Sequence, residues 1–480
     1  MAGSDDDPGL PIKLHAVSNG EYLPPAPSAL ARHTARQARR VLDDGARRIG
    51  MSRRRFLLSS MGTAGMLAVL AACADDEKGS PTGGTFVVPD DATADPEAAR
   101  DALGPSEGEV VFDVQGHFLA FNHDIPGDPP GFPQSACGAD DPRDCYSVDR
   151  FLDLIFNQSD TSMVVLSAVP FGGDVLTPEV MAEAVALAEA LCDEPRVLMQ
   201  GEASPSRGEL AVALDNLARL RDEFPVAAWK TYTHAGGPGW YLDDHDPDAP
   251  QVGEAFLSTV AELGPPIVAV HKGFAGGSRF ASPVDVGPAA AAHPELSFVV
   301  YHSGFDGLDA EGPYDPANDE GVDRLITSAR DAGIGPGGNV YAELGSTWFS
   351  VMRDPEVAAH VVGKLLRAFG PDNVVWGTDS IWYGSPQDQI QAFRAFQITE
   401  EFQERYGYPA LTDEVKAKVL GANSLALYGV EPLAGSCRID VGAVEEARQA
   451  STTGNATFGP RTPRQAAAVQ RAHAIGHGWV

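Results

Sequence analysis

From Glu109 onward, short apolar runs alternate with stretches of helical period. The runs are 109–117, 162–169, 196–202, 226–232, 266–271, 296–302, 339–344 and 373–379. Each is rich in Val, Leu, Phe or Ala, as strands buried on both faces require. Between them, segments such as 149–157, 178–192, 208–222, 252–263 and 355–369 space their apolar residues three and four apart and read as amphipathic helices. One strand plus one helix, recurring eight times at steps of about 30 to 50 residues, predicts an α/β chain folded as a (β/α)8 TIM barrel. The rival, an open doubly wound sheet, rarely needs eight such units. A further helix is expected at 412–428. The tail after Glu431 shows two weaker helical stretches, 443–449 and 462–473, to which the pattern assigns no role.

Composition narrows the classes. Of 480 residues 43% are hydrophobic, enough for a large core and too many for a disordered chain. A net charge of −32 repels phosphate backbones and argues against a nucleic-acid partner. Five cysteines are too few for a disulfide scaffold, although Cys137 and Cys145, in the long Gly- and Pro-rich loop 118–146, can pair in an oxidising compartment.

The N-terminal part carries processing signals. Ser52-Arg53-Arg54-Arg55-Phe56-Leu57-Leu58 resembles the twin-arginine export motif, and the apolar stretch from Met61 to Ala72 is too short to span a bilayer. It ends in Leu70-Ala71-Ala72-Cys73, which resembles a lipobox with Cys73 as the lipidated residue. Residues 1–73 are therefore expected to be an extension plus signal peptide, with Met1 or Met51 as the start. Residues 74–108, rich in Asp, Pro, Gly, Ser and Ala, read as a flexible linker, 109–430 as the barrel domain and 431–480 as a C-terminal tail. The expected protein is exported and lipid-anchored outside the cytoplasmic membrane. Homodimer formation stays open.

Barrel enzymes place their chemistry at the carboxyl ends of the strands. The first strand closes on Asp113-Val114-Gln115-Gly116-His117, and period-two alternation puts Asp113, Gln115 and His117 on one face. The fifth ends at His271, the sixth at His302 and the eighth at Asp379. One histidine at a strand end is ordinarily structural. Four strand ends that agree point to nitrogen and oxygen ligands for a zinc-type ion.

In this order and spacing, Asp113-Val-Gln-Gly-His117, Val268-Ala-Val-His271, Val300-Tyr-His-Ser-Gly304, Asn339-Val-Tyr-Ala-Glu343, Val375-Trp-Gly-Thr-Asp379 and the closing 418–429 segment resemble the amidohydrolase-related family. The resemblance is to its aminocarboxymuconate semialdehyde decarboxylase-like branch and covers 109–430. It implies one divalent ion, zinc first and manganese second, held by His117, His271 and Asp379. It also implies that His302 contacts metal-bound water or substrate, and that Asp379 is the general base. The family carries a histidine where this chain has Gln115. An amide oxygen is the poorer donor, so three outcomes are open: a weakened zinc site, a harder ion such as manganese, or a metal-free pocket.

Secondary candidates for substrate contact are Lys230, Glu202, Glu343, Trp240 and Trp382, all at strand ends or on mouth loops. By resemblance to binuclear relatives Lys230 can be a carbamylated bridge; a substrate-facing ammonium or an ion pair are its other readings. The expected activity is metal-assisted hydrolysis of an ester, lactone or amide of a small molecule. Decarboxylation at the same site and a catalytically inactive ligand-binding lipoprotein are the alternatives.

Overall fold

The computed structural model describes residues 8–78, 82–124, 131–133, 136–169, 175–192, 194–274, 277–307, 311–432 and 441–475. Eight parallel strands follow one another in chain order: β1 (Val111–Gly116), β2 (Thr161–Leu166), β3 (Val197–Ala203), β4 (Val226–Tyr232), β5 (Ile267–His271), β6 (Ser297–Tyr301), β7 (Val340–Glu343) and β8 (Val374–Val375). The barrel closes between β1 and the segment after β8. Val114 donates its N–H to the Trp376 carbonyl, Asp379 to Gln115 and His117 to Ser380. The expected TIM barrel is what the chain forms, with each strand within a few residues of its apolar run.

Alternate residues of the strands enter two clusters. Val164, Val197, Trp229, Val268, Val300 and Val374 pack outward in one continuous core with the surrounding helices. Phe112, Val114, Met163, Val165, Ala228, Ala269, Val299 and Val375 form the other, inside the barrel and plugged at one end by Leu425 and Tyr428 of the closing helices. On β4 and β5 the parity of Ala228 and Ala269 carries Lys230 and His271 to the inner face at the opposite end.

In the full chain the N-terminal region is packed and structured in its described part. The helices Ala29–Arg48 and Ser60–Lys78 pack on each other, and Met61, Ala64, Leu67, Leu70 and Cys73 are buried in the common core. Cys73 is 5% exposed, in the body of a helix. Gly65 lets the helices approach, since a Cβ there would meet Leu42 Cδ2 at 2.9 Å. The segment expected to be a flexible tether is structured in its described part. Gly84–Phe86 pairs antiparallel with Phe396–Ile398, and the helix Pro96–Leu103 is capped by Asp95 and buries Ala99 and Leu103. Apolar residues spaced for helix packing outweigh the turn-forming composition. Among the described residues no helix is long and apolar enough to cross a membrane.

The tail has a structural role that its sequence did not disclose. Asn455 N–H donates to the Pro8 carbonyl, Ser18 N–H to the Pro460 carbonyl, and Gln470 Nε2 to the Glu21 carbonyl at 2.8 Å. Tail and N-terminal segment thus lie together across the barrel mouth. The buried Lys13 ammonium pins the segment to the barrel through Asp388 Oδ1 and the Ser385 carbonyl, both at 2.7 Å. In the long loop after β1, Cys137 and Cys145 form the anticipated disulfide. Parts of that loop, and tail residues 433–440, lie outside the described residues.

Arg394 is a buried cation between Glu109, at 2.7 Å, and Asp160. Arg394→Met leaves two buried carboxylates without their partner. It is expected to lower unfolding free energy by about 3–5 kcal/mol, read from the denaturant midpoint.

Candidate active site at the barrel mouth

Of the histidines at the mouth, three each have one ring nitrogen already committed. His117 Nδ1 donates to the Ser167 carbonyl at 2.6 Å, His271 Nε2 to Gly273 at 3.0 Å and His302 Nδ1 to Gly345 at 2.7 Å. A carbonyl can only accept, so each of these ring nitrogens carries its proton, and in the neutral His271 and His302 rings the other nitrogen presents a lone pair. His271 Nδ1 and His302 Nε2 are buried without a hydrogen-bond partner. His117 Nε2 lies 3.2 Å from Asp379 Oδ1.

Several turns that aim these groups are held in the left-handed region. His302 has φ +66°, Ser303 +52°, Ser346 +56° and Asp379 +56°, all just beyond strand ends and none of them glycine. Such backbones cost about 1–3 kcal/mol each and persist where surrounding contacts over-determine them. Glu343 is one such contact. Its carboxylate accepts from the backbone N–H of His302 at 2.9 Å and of Gly345 at 2.6 Å. Gly377 leaves room for it, because a Cβ there would sit 1.6 Å from Glu343 Oε1.

Asp379 is surrounded by donors: Asn19 Nδ2 at 2.9 Å, Gln115 Nε2 at 3.2 Å, Trp382 Nε1 at 3.3 Å and the Ser346 hydroxyl. Burial pushes its carboxyl up, but the bond to His117, the neighbouring His302 and the Ser346 hydroxyl outweigh burial and hold it below the ordinary value. A hydrogen-bond chain continues from Ser346 to Tyr383 and on to Tyr22.

The unexpected participant is the N-terminal segment. Glu21 enters the cavity with its Oε1 3.6 Å from His271 Nδ1. Ligand atoms of Glu21, His271 and His302 all lie within 4.8 Å of one another. Burial and the nearby Asp379 push the Glu21 carboxyl up. Burial brings the His302 imidazole down to about 4 and His271 well below its ordinary value, so both are neutral lone-pair donors at pH 7. Buried lone pairs without partners, ring N–H groups anchored on carbonyls and two carboxylates make a donor set that fits a divalent cation. The cavity is lined by Asn19, Glu21, Gln115, His117, Val169, Tyr232, Asp379 and Trp382. It measures about 10 Å³, room for one ion or water.

Most of the residues singled out from the sequence meet here, with different duties. Gln115 lines the cavity, but its amide N–H points at Asp379 while its Oε1 has no partner. Lys230 is fully buried, its ammonium without a hydrogen-bond partner and 3.7 Å above the Tyr301 ring. Burial lowers it to about 7 against the pull of Glu21, Glu343 and Asp379. Trp382 stacks on Phe132 and borders the cavity. Two of the expected substrate contacts have other partners in the structure. Glu343 spends its carboxylate on backbone amides, and Trp240 packs edge-on against Phe256, away from the lining residues. Glu202 takes the Ser204 hydroxyl at 3.2 Å and is likewise not among them. His302 commits its Nδ1–H to the Gly345 carbonyl, which leaves Nε2 as the ring nitrogen without a partner. Asn19, Glu21, Ser346 and Tyr383 were missed. The only sequence signal for the first two was the turn-forming Asn19-Gly20 pair, set in a segment read as removable.

The TIM barrel gathers imidazole and carboxylate donors at the carboxyl ends of its strands, a set that could hold a metal ion. The chain belongs to the amidohydrolase family, whose model matches residues 112–430. Similar solved structures include 5-carboxyvanillate decarboxylase from Sphingomonas paucimobilis, 14% identical, covering 68% of this chain and 100% of that one with a TM-score of 0.41. Another is 2,6-dihydroxybenzoate decarboxylase from Rhizobium, at 14% identity, 67% and 99% coverage and a TM-score of 0.37. Dihydroorotase from Campylobacter jejuni matches at 14%, with 68% and 85% covered and a TM-score of 0.37. No curated protein shows a significant sequence match.

Gly20 sets the direction of the segment. Its φ is +101°, and a Cβ there would lie 2.7 Å from Val469 Cγ1. Gly20→Ala is expected to loosen residues 8–22 from the mouth, seen as faster amide exchange in that segment while the barrel strands keep their protection.

Proposed function

We propose that the protein is a metal-dependent hydrolase cleaving an ester, lactone or amide bond of a small molecule. The observation that carries this reading is the common orientation of His117, His271 and His302, each anchored through one ring N–H with its other ring nitrogen turned toward buried carboxylates. A divalent ion, zinc by donor chemistry or else manganese, supplies Lewis acidity toward a carbonyl oxygen and acidifies water when bound by these imidazoles and carboxylates.

The chain's own residues do the rest. Asp379, ionised and fixed by four donors, accepts the proton of the attacking water and delivers it to the leaving group. Lys230 offers a buried positive charge to an anionic substrate group or a developing oxyanion. Trp382, Tyr232 and Val169 exclude bulk water.

The unpartnered Lys230 ammonium also favours a carboxylate-bearing substrate, and loss of that carboxylate as carbon dioxide is the second reading. Zinc- and manganese-loaded protein should be assayed on a panel of esters, lactones, amides and aromatic carboxylic acids. Acid release without carbon dioxide supports hydrolysis, and carbon dioxide release replaces it with decarboxylation. Asp379→Asn is expected to lower kcat/KM by about 10²- to 10⁴-fold with the melting transition retained. Full turnover in that variant would put the base elsewhere.

A further inference from the structure

We propose that Glu21, carried across the mouth by the N-terminal segment, is a resident metal ligand beside His271 and His302, replacing the donor that position 115 lacks. The inference rests on the metal-site reading above and adds that the catalytic centre is built from two distant parts of the chain.

The local geometry is that of an oriented ligand. Asn19 Oδ1 accepts the Glu21 N–H at 2.9 Å, closing the turn. Asn19 Nδ2 donates to Glu21 Oε2 at 2.6 Å and to Asp379 Oδ2 at 2.9 Å, so one amide bridges the two carboxylates. Glu21 Oε1 is left to face His271 Nδ1 at 3.6 Å, too long for a hydrogen bond and with a lone pair on the nitrogen. Neighbouring ligands on a tetrahedral zinc lie about 3–3.5 Å apart. Asn19 thus plays the outer role that orients a ligating carboxylate.

The segment is built to stay. Lys13 is buried against Asp388, Ser18 and Pro8 bond to the tail, Tyr22 stacks on Phe274 at 4.4 Å, and Gln470 holds the Glu21 carbonyl. Gln115, which cannot match an imidazole as donor, turns its N–H to Asp379 and leaves the ligand position to Glu21. Cleavage ahead of Cys73 would remove Asn19 and Glu21 together. The competing role for the same segment is a plug that blocks the site until such cleavage.

Full-length protein stripped by a chelator should be titrated with zinc, and separately with cobalt(II) as a spectroscopic probe, beside Glu21→Gln, Glu21→Asp and His271→Ala. Glu21→Gln and His271→Ala are each expected to weaken zinc binding at least about tenfold. The cobalt spectrum of Glu21→Gln should shift, and Glu21→Asp should bind between wild type and Glu21→Gln. Circular dichroism restricts the comparison to folded protein, and Glu21→Asp serves if Glu21→Gln does not fold. Wild-type affinity in the Glu21 variants with loss in His271→Ala overturns the ligand role and leaves the metal site standing. A wild-type protein that takes up no zinc or cobalt overturns both. Higher turnover in Glu21→Gln, or active protein whose intact mass begins at Cys73, establishes the plug and overturns the proposal.

Discussion

Two carboxylates, Glu21 and Asp379, line one small cavity with His117, and the His271 and His302 rings stand close to Glu21; all three imidazoles have an N–H engaged elsewhere. Negative charge and lone pairs concentrated away from water need a compensating positive charge. The described chain supplies part of it through Lys230 and part of the shielding through Asn19, Gln115, Trp382 and Ser346. Much of the rest of the molecule serves to keep these groups facing one another. The left-handed turns at His302, Ser346 and Asp379, the Glu343 carboxylate beneath them and the closure of β1 on the segment after β8 all act on the same few ångströms.

The barrel is a rigid frame for that arrangement and fills its own interior with side chains, as such barrels do. A second layer lies around the barrel. The N-terminal helices pack on the outside, and residues 8–22 return across the mouth under the tail. A mobile leader would pay the entropy of ordering at each encounter; a segment held by a buried Lys13–Asp388 pair and by apolar packing is already ordered.

Buried ion pairs recur wherever these layers meet. Lys13 with Asp388, Lys272 with Asp285, Lys364 with Glu311 and Asp323, and Arg394 with Glu109 and Asp160 join elements distant in sequence. Each pairing is costly to break and modest in net stabilisation, so their main effect is on which surfaces can meet. In a chain of net charge −32, they spend scarce cations on internal carboxylates.

The barrel, its strand positions and the histidines at the ends of β1, β5 and just beyond β6 were legible in the sequence, because strand burial and period-two alternation are local properties written in consecutive residues. Gln115 as the odd residue was legible for the same reason. The ring-nitrogen assignments were not, since they depend on carbonyls of Ser167, Gly273 and Gly345 that the fold brings into reach. Nor could composition separate a leader from a packed layer: the same apolar helix of Gly, Ala, Leu and Met suits a signal peptide and a buried interface alike. Glu21 stands 250 residues before His271, and no periodicity links them. Only the tertiary structure, by laying the two ends of the chain over one mouth, decided that this carboxylate belongs to the site.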